Sequence, residues 1–422
     1  MPFIKNTIIQ QRLLLVSSFL VLASAILGLQ WYNSIAIISF ALSCIVIKGF
    51  AGFFISKNAT PFVLFCSAYF LMNAIPFFLT DYQQAAYHEI EQNWSFLFLP
   101  LLFTALASNI GEIKHNVLKS LSVFCMILFL YLLGAAFANY RTTGNTDVFF
   151  YHQLVSPIHH NAVYVSVYVG FLLLYLFFLI LVRDKYIWVW VSISILLYLF
   201  VLLLSSKTSI VVLTSLLIIL FTKYYLTRMR KAYGLLILLI LLIITVLISS
   251  TKNPVSKRFK EVYETDLTIL KKDIFSTDMY FNALQFRLLA WKYSWQLVYD
   301  SGNYLFGIGP AKAQPALDQK YRLSHMYIGE TPDQPGGYLG FNAHNQYVQT
   351  FLQSGIAGLL VLLLIQFCCF REAIKNKDVL SISALSMISI FFIFESALEG
   401  QFGIVLFLFF IPFLRTKLQI LR

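Results

Sequence analysis

The chain has 422 residues, of which 59% are hydrophobic and 12% are charged, and its formal net charge is +12. Soluble globular domains have about a quarter of their residues charged, so this composition excludes a soluble globular domain and favours a polytopic membrane protein. The five cysteines lie in or beside apolar runs. They indicate neither a disulfide framework nor a cysteine-based metal site.

Apolar runs of membrane-spanning length predict an all-α, polytopic integral membrane protein with about twelve transmembrane helices. The first run follows Lys5 and Arg12 as a signal peptide would, but it is too long and has no convincing cleavage site, so we interpret it as a retained span. The predicted spans are residues 13–30, 34–55, 61–80, 94–109, 116–138, 162–182, 186–204, 208–227, 232–250, 345–370, 379–397 and 401–414.

These spans divide the chain into three regions. Residues 1–250 contain transmembrane helices 1–9, residues 251–343 form a large and mostly helical loop, and residues 344–422 contain helices 10–12. If the N-terminus is cytoplasmic, the inner connections and both termini carry most of the basic residues and few of the acidic ones, whereas the short outer connections contribute only Arg141 and Lys207. The positive-inside rule therefore predicts that both termini are cytoplasmic and that the loop is on the outer face. The positive charge follows from topology and does not indicate a nucleic-acid partner.

The outer segment between the fifth and sixth predicted spans is rich in polar residues. It contains Arg141, His160 and Asn161, and an apolar helix follows it directly. Asn161 stands where it can cap that helix, and the histidines can be ordinary interfacial residues. A zinc site of four histidines lacks a recognisable ligand spacing and a carboxylate to complete it, so we predict no metal; the histidines considered are His152, His159, His160 and His344.

Lys207 lies in the very short connection between the seventh and eighth predicted spans, within Ser-Ser-Lys-Thr. An ammonium group at the outer membrane boundary is costly unless its side chain snorkels to water or meets an anionic partner. Both interpretations remain open from the residues alone.

The long loop should have structure of its own. Residues 257–273 have the spacing of an amphipathic helix on the membrane surface, which we interpret as scaffold rather than as a site. Residues 281–299 predict a second helix that is apolar nearly all round, so Arg287 near its start needs an anionic partner. Gly307 and Gly309 follow in Leu-Phe-Gly-Ile-Gly-Pro, which by itself predicts a tight turn.

The loop returns to the membrane through Asn342-Ala-His344-Asn345-Gln-Tyr347, and Ser-Gly-Ile-Ala-Gly follows at residues 354–358. This places a titratable imidazole at the membrane surface, at the start of a helix. Further along, Glu395 and Glu399 are four residues apart and would repel each other unless a cation lies nearby. Lys207 or Arg287 are the expected partners.

The spacing His-Asn-x-Tyr followed by Ser-Gly-x-x-Gly resembles the signature of the O-antigen ligase family, which also includes O-antigen polymerases and bacterial O-linked oligosaccharyltransferases. Phe-Arg-x-x-x-Trp around Arg287 and the Phe-Gly-x-Gly of residues 306–309 are similar to two further family elements. His159-His160-Asn161 is a looser match to a His-Pro-Asn-like element, because the proline is missing. Lys207 stands where the family usually has an arginine.

The resemblance implies a GT-C-like membrane glycosyltransferase that needs neither metal nor cofactor and inverts the anomeric carbon. Its donor would be an undecaprenyl-diphosphate-linked glycan, and its active site would face the periplasm from the bacterial inner membrane, partly within residues 251–343. By analogy, His344 activates the acceptor, and Arg287 and Lys207 contact the diphosphate. The expected substrate-binding residues are Arg141, His160, Asn161, Gly307, Gly309, Asn342, Asn345, Tyr347 and Glu399.

The acceptor separates the activities within this family. Lipid A core would make the protein an O-antigen ligase of lipopolysaccharide biosynthesis, which we favour. A second lipid-linked glycan would make it a polysaccharide polymerase, and a protein hydroxyl an oligosaccharyltransferase. A lipid-linked-glycan flippase is the alternative from another class, but a transporter should place its site near the middle of the membrane, whereas these motifs lie on one side.

Overall fold

The computed structural model describes residues 7–49, 60–182, 184–227, 254–329 and 337–415, together with positions 239 and 243. Every regular element in these ranges is helical. Before the loop the helices are α1 (Thr7–Ile26), α2 (Gln30–Lys48), α3 (Thr60–Ala74), α4 (Gln83–Asn93), α5 (Ser95–Thr143), α6 (Tyr151–Leu154), α7 (Ala162–Leu181), α8 (Ile187–Leu203) and α9 (Lys207–Thr227). The later helices are α10 (Pro254–Tyr263), α11 (Ala283–Ser301), α12 (Pro310–Leu323), α13 (Gln346–Lys375), α14 (Val379–Phe394), α15 (Gln401–Val405) and α16 (Ile411–Arg415), with a π-helical turn at Leu406–Phe410.

The membrane character of the chain is visible in its apolar helices. Within the described ranges, six helical segments are long and apolar enough to span a membrane: Thr7–Ile26, Gln30–Lys48, Pro61–Phe78, Asn109–Thr143, Ala162–Leu181 and Gln346–Lys375. Four shorter apolar segments accompany them: Ile187–Leu203, Lys207–Thr222, Val379–Phe394 and Gln401–Leu414. The all-helical membrane class is confirmed. The number of twelve spans stays a prediction, and the ninth predicted span, residues 232–250, lies almost entirely outside the described residues.

One sequence-based boundary is wrong. We predicted two spans, 94–109 and 116–138, separated by a short polar connection, but the structure has the continuous 49-residue helix α5. The reason is that the apolar stripe continues through the connection: Ile110, Ile113 and Val117 are fully or almost fully buried at helical spacing. A single glycine, Gly111, does not outweigh that burial.

Helix α7 lies at the centre of the membrane part and packs against α5, α8, α9 and α14. It is buried on nearly all sides, and Tyr168 and Tyr175 are fully enclosed. A helix that is apolar all round is stable only in such a position. Its first turn is capped by Asn161, whose side-chain oxygen accepts from the backbone N–H of Val163 at 2.8 Å. This agrees with the capping interpretation of Asn161.

The loop region has a small core of its own. Helices α11 and α12 contribute many of its buried residues, among them Phe286, Leu289, Tyr293, Leu317 and Tyr321. Leu352 of α13 packs against them. Helix α11 begins with a complete capping box, in which Asn282 and Gln285 satisfy each other's backbone N–H groups. Helix α11 begins two residues after the predicted start at residue 281. The capping box fixes the direction in which the second turn of the helix projects.

The predicted surface helix of residues 257–273 is shorter than expected. Helix α10 ends at Tyr263, and a 3-10 turn at Thr268–Lys271 follows. Asp266 separates the two elements because its carboxylate accepts from both the backbone N–H and the hydroxyl of Thr268, at 2.9 and 2.8 Å. Local side-chain bonds of this kind compete with helix continuation.

Candidate functional site

Glu395 is the meeting point of two predicted site residues. It follows directly after α14, and its side chain is only 12% exposed. One carboxylate oxygen accepts from Nη2 of Arg287 at 3.0 Å, and the other lies 3.1 Å from Nδ1 of His344. A buried carboxylate with a guanidinium on one oxygen and an imidazole on the other is well compensated.

Arg287 is fixed by backbone contacts as well as by this ion pair. Its Nε donates to the carbonyl of Phe394 at 3.0 Å, and its Nη1 donates to the carbonyl of Ala283 at 3.2 Å. The capping box of α11 determines the orientation of this turn. The guanidinium is thereby tied to the end of α14, although 107 residues separate Arg287 from Phe394.

His344 occupies a strained turn between the loop and α13. Its φ of 46° lies in the left-handed region, which non-glycine residues rarely adopt. The turn is held by two neighbours: the side chain of Asn342 accepts from the His344 N–H at 2.9 Å, and Trp291 donates to the carbonyl of Ala343 at 2.9 Å. A carboxylate at Nδ1 favours the tautomer in which Nδ1 carries the proton and Nε2 is the acceptor.

Asn345 and Tyr347 support this turn from the start of α13. The side-chain oxygen of Asn345 caps α13 by accepting from the N–H groups of Tyr347 and Val348, at 2.9 and 3.1 Å. The backbone N–H of Asn345 donates to the hydroxyl of Ser396 at 3.1 Å. Tyr347 donates its hydroxyl to Gln366 of the same helix at 3.1 Å. These contacts place both residues beneath His344, where they position it.

Lys207 approaches the same region from α9. It is the first residue of that helix and lies two residues after Ser205, whose φ is 52°. Its ammonium group donates to the backbone carbonyl of Arg258 at 2.8 Å and lies 4.0 Å from the Glu261 carboxylate. The charges of Arg258 and Arg287 are close enough to act on it. Lys207, Arg258 and Arg287 are together called the basic cluster below.

Arg258 is the member of this cluster that sequence reasoning missed. It belongs to α10, which we interpreted as scaffold. Its guanidinium carbon lies 3.4 Å from the centroid of the Tyr151 ring. Burial and the Arg258 charge lower the pKa of His152, the neighbour of Tyr151, below its ordinary range, against an opposite effect of Glu395. The basic run Lys-Arg-Phe-Lys at residues 257–260 was the available signal, but it fits a membrane-surface helix equally well.

Backbone strain is concentrated around this cluster. Of the described non-glycine residues with positive φ, three lie here: Tyr151 at 52°, Ser205 at 52° and His344 at 46°. Such conformations cost about 1 kcal/mol or more each and persist only where the surroundings determine them. Strain at three separate segments that meet at one place is typical of a functional site.

Three predicted substrate-binding residues, Arg141, His160 and Asn161, lie outside the basic cluster. Arg141 is exposed in the last turn of α5, with its guanidinium 4.9 Å from the Phe137 ring centroid. His160 is half-buried against Gly28 and Phe402, and its desolvation there lowers its pKa to about 4. It is therefore neutral at physiological pH and lies in the packing between α1 and α7, and Asn161 caps α7.

Gly307 and Gly309 attach the loop to α13. The backbone N–H groups of Ile308 and Gly309 donate to the carbonyls of Leu352 and Gln353, at 2.9 and 3.0 Å. A Cβ on Gly307 would come within 2.6 Å of the Leu352 carbonyl oxygen, so only glycine fits there. The opposing part of α13 is kinked at Gly355, where φ is 61°. The glycine pair thus secures the junction that positions His344.

Glu399 is buried beside glutamines and separate from the basic cluster. Its carboxyl accepts from Gln353 at 2.9 Å and from Gln349 at 3.3 Å. Burial, together with the nearby Glu89 carboxylate, raises the pKa of Glu399 to about 8. At neutral pH it is consequently a neutral acid.

This gives a pH-dependent stability prediction. Because the folded-state pKa of Glu399 lies above its ordinary value, the protonated form stabilises the fold at low pH, and this contribution is lost as pH rises through about 8. We expect the melting temperature of wild-type protein to fall between about pH 5 and about pH 8, and that of Glu399→Gln to fall less. Thermal unfolding in detergent across this range measures both; parallel curves would contradict the prediction.

The described residues contain no group of three or more histidine, cysteine or carboxylate side chains arranged to share a metal ion. The positive charges that would balance a bound anion at this site belong to the basic cluster.

Residues 192–363 match the family model described as O-Antigen ligase. This part of the chain is similar to the O-antigen ligase family. The family recognised from the sequence motifs is thereby confirmed. The matched range extends from α8 into α13 and includes the basic cluster and His344, whereas Glu395 lies beyond it. No curated protein matches the chain. Members of the family are glycosyltransferase-like enzymes, and their substrates are in general a lipid-linked glycan and an acceptor.

Proposed function

We propose that this protein transfers a glycan en bloc from undecaprenyl diphosphate to an acceptor hydroxyl, and that the acceptor is lipid A core, as in an O-antigen ligase. The single observation that supports this most is the Arg287–Glu395–His344 contact, which places an oriented imidazole next to the basic cluster. A proton acceptor beside fixed positive charge suits a reaction in which a hydroxyl attacks and a diphosphate leaves.

The proposed reaction is a single displacement. Nε2 of His344 takes the proton of the acceptor hydroxyl while the hydroxyl oxygen forms a bond to the anomeric carbon of the donor glycan. The bond between that carbon and the diphosphate oxygen breaks, and the diphosphate leaves with the electron pair. Attack opposite the leaving group inverts the anomeric carbon. Arg287 and Lys207 stabilise the diphosphate, so that step relies on protein cations and no metal.

Glu395 has two tasks in this proposal. It orients His344 through Nδ1, and it stabilises the imidazolium that forms when Nε2 takes the proton. Its other oxygen holds Arg287 at the same distance from the reacting centre throughout the reaction. Glu395 is a positioning residue because it acts through its two neighbours.

Reconstitution tests the activity and the acceptor together. Purified protein in liposomes would receive a lipid-linked oligosaccharide with lipid A core, a second lipid-linked glycan, or an acceptor protein, and mass analysis would identify the product. We expect the glycan on lipid A core. Extension of the lipid-linked glycan would indicate a polymerase, a glycosylated protein an oligosaccharyltransferase, and movement of the donor between leaflets without a new glycosidic bond a flippase.

We also propose a bacterial inner-membrane location, with the C-terminus cytoplasmic and the site facing the periplasm; membrane lipids surround the spans. The cytoplasmic N-terminus predicted from the sequence rests on two spans at 94–109 and 116–138, and the single continuous helix α5 in their place puts the N-terminus on the side opposite to the C-terminus if every other predicted span crosses once. In a cysteine-free variant, we expect Gln319→Cys on α12 to react with a membrane-impermeant thiol reagent in cells whose outer membrane is permeabilised. Lys375→Cys, exposed at the end of α13, should react only after the inner membrane is opened. The reverse labelling pattern would invert the topology.

A further inference from the structure

Arg258 has a polar group whose bonding is incomplete. Its Nη1 is buried and has no hydrogen-bond partner within the part of the chain that the structure describes. The guanidinium carbon of Arg258 lies 3.4 Å from the Tyr151 ring centroid, but the ring offers no hydrogen-bond acceptor in the plane of the guanidinium N–H groups. Burying an N–H of a charged group without an acceptor is unfavourable, so an acceptor is expected to arrive with a ligand.

The charges around Arg258 indicate the class of that ligand. The basic cluster has three cationic side chains. Glu395 already uses one oxygen for Arg287 and the other for His344, and Glu261 is 44% exposed and lies 4.0 Å from Lys207. The carboxylates therefore leave positive charge uncompensated beside an unused donor. An anion with several oxygens fits this combination.

We propose that Arg258 binds the diphosphate of the lipid-linked donor through Nη1, as a third cation beside Lys207 and Arg287. This inference rests on the proposed function, in which a diphosphate is the leaving group. On this side of the site α9 contributes only the ammonium group of Lys207, and Arg258 of α10 would add a guanidinium beside it. A guanidinium and an ammonium can contact different oxygens of one diphosphate.

Two contacts explain how α10 brings Arg258 to the site. Lys207 donates to the backbone carbonyl of Arg258, which ties α10 to the first turn of α9. Tyr151, in its left-handed conformation, places its ring beneath the guanidinium. Arg258 is consequently fixed from both sides before any ligand binds. Preorganised donors of this kind bind an anion without the cost of ordering a long side chain.

The test measures pyrophosphate and undecaprenyl-diphosphate binding to full-length protein in nanodiscs of zwitterionic lipid. Arg258→Gln keeps a planar polar side chain and removes the charge, whereas Arg258→Lys keeps the charge and removes the planar set of guanidinium N–H donors. Lys257→Gln is the matched control, because Lys257 is the exposed neighbour on the same helix. We expect Arg258→Gln to raise both Kd values about tenfold or more, Arg258→Lys to raise them less, and Lys257→Gln to leave them unchanged.

A thermal melt without ligand separates binding from folding. Arg258→Gln should melt at or above the wild-type temperature, since it removes a buried charge with an unpaired donor. Equal diphosphate affinity in Arg258→Gln and wild-type protein would overturn this inference while the proposed function stands. Failure of wild-type protein to bind either diphosphate would overturn the proposed function itself. A binding difference that appears only with anionic lipid would assign Arg258 to phospholipid headgroups and reject the inference.

Discussion

His344→Ala is expected to lower the turnover number for glycan transfer at least about 100-fold while expression, membrane insertion and donor affinity stay near normal. The physical reason is that a general base acts in the transition state, so its removal affects the chemical step rather than the binding of the donor. Nε2 is the atom concerned, because Nδ1 already contacts Glu395. Single-turnover kinetics with purified protein and saturating donor measure the effect.

The chain provides a matched control for this substitution. His325 is a second histidine of the loop region with a left-handed backbone, φ 55°, and it is exposed. His325→Ala therefore repeats the change of residue type and of backbone preference away from the proposed site. We expect it to retain wild-type turnover. Comparable losses in both variants would attribute the His344 effect to the fold of the loop, and near-normal turnover in His344→Ala would remove it from catalysis.

The features that could be predicted from the sequence depend on local signals. Asn161 precedes an apolar helix, and the structure shows it as the cap. The apolar pattern around Arg287 predicted a buried helix and an anionic partner, and Glu395 is that partner. The four-residue spacing of Glu395 and Glu399 predicted two carboxylates that share a cation, and this is wrong: α14 ends at Phe394, Glu395 pairs with Arg287, and Glu399 accepts from two glutamines. For Asn161 and Arg287, the residues concerned or their immediate neighbours contain the physical reason.

The features that could not be predicted depend on contacts between distant segments. Arg258 reaches the cluster because Lys207, 51 residues earlier, binds its carbonyl, and no local pattern contains that contact. Glu395 pairs with Arg287, whereas Glu399 accepts hydrogen bonds from two glutamines, although both carboxylates follow the same helix. The burial of His160 against Gly28 is likewise set by the packing of α1 on α7. Tertiary packing decides these positions.

Arg287→Met is expected to abolish transfer and also to weaken the fold. Methionine keeps much of the apolar stem, but Glu395 loses its guanidinium while remaining 12% exposed. Removing one partner of such a pair costs about 3 kcal/mol, because the buried Glu395 charge then keeps only its contact with His344. Activity alone therefore does not separate a role in phosphate binding from a role in neutralising Glu395. Melting temperature and donor affinity must be measured beside turnover.

The double variant Arg287→Met with Glu395→Gln separates the two roles. Glutamine removes the buried charge, and its oxygen can still accept from Nδ1 of His344. We expect the double variant to regain the melting temperature lost in Arg287→Met, since no unpaired carboxylate remains. We expect its donor affinity and turnover to stay low, well below those of Glu395→Gln alone, because the diphosphate still lacks a guanidinium. If turnover instead recovers to the level of Glu395→Gln, Arg287 serves only to neutralise Glu395, and the leaving diphosphate must be stabilised by Lys207 and Arg258 without it.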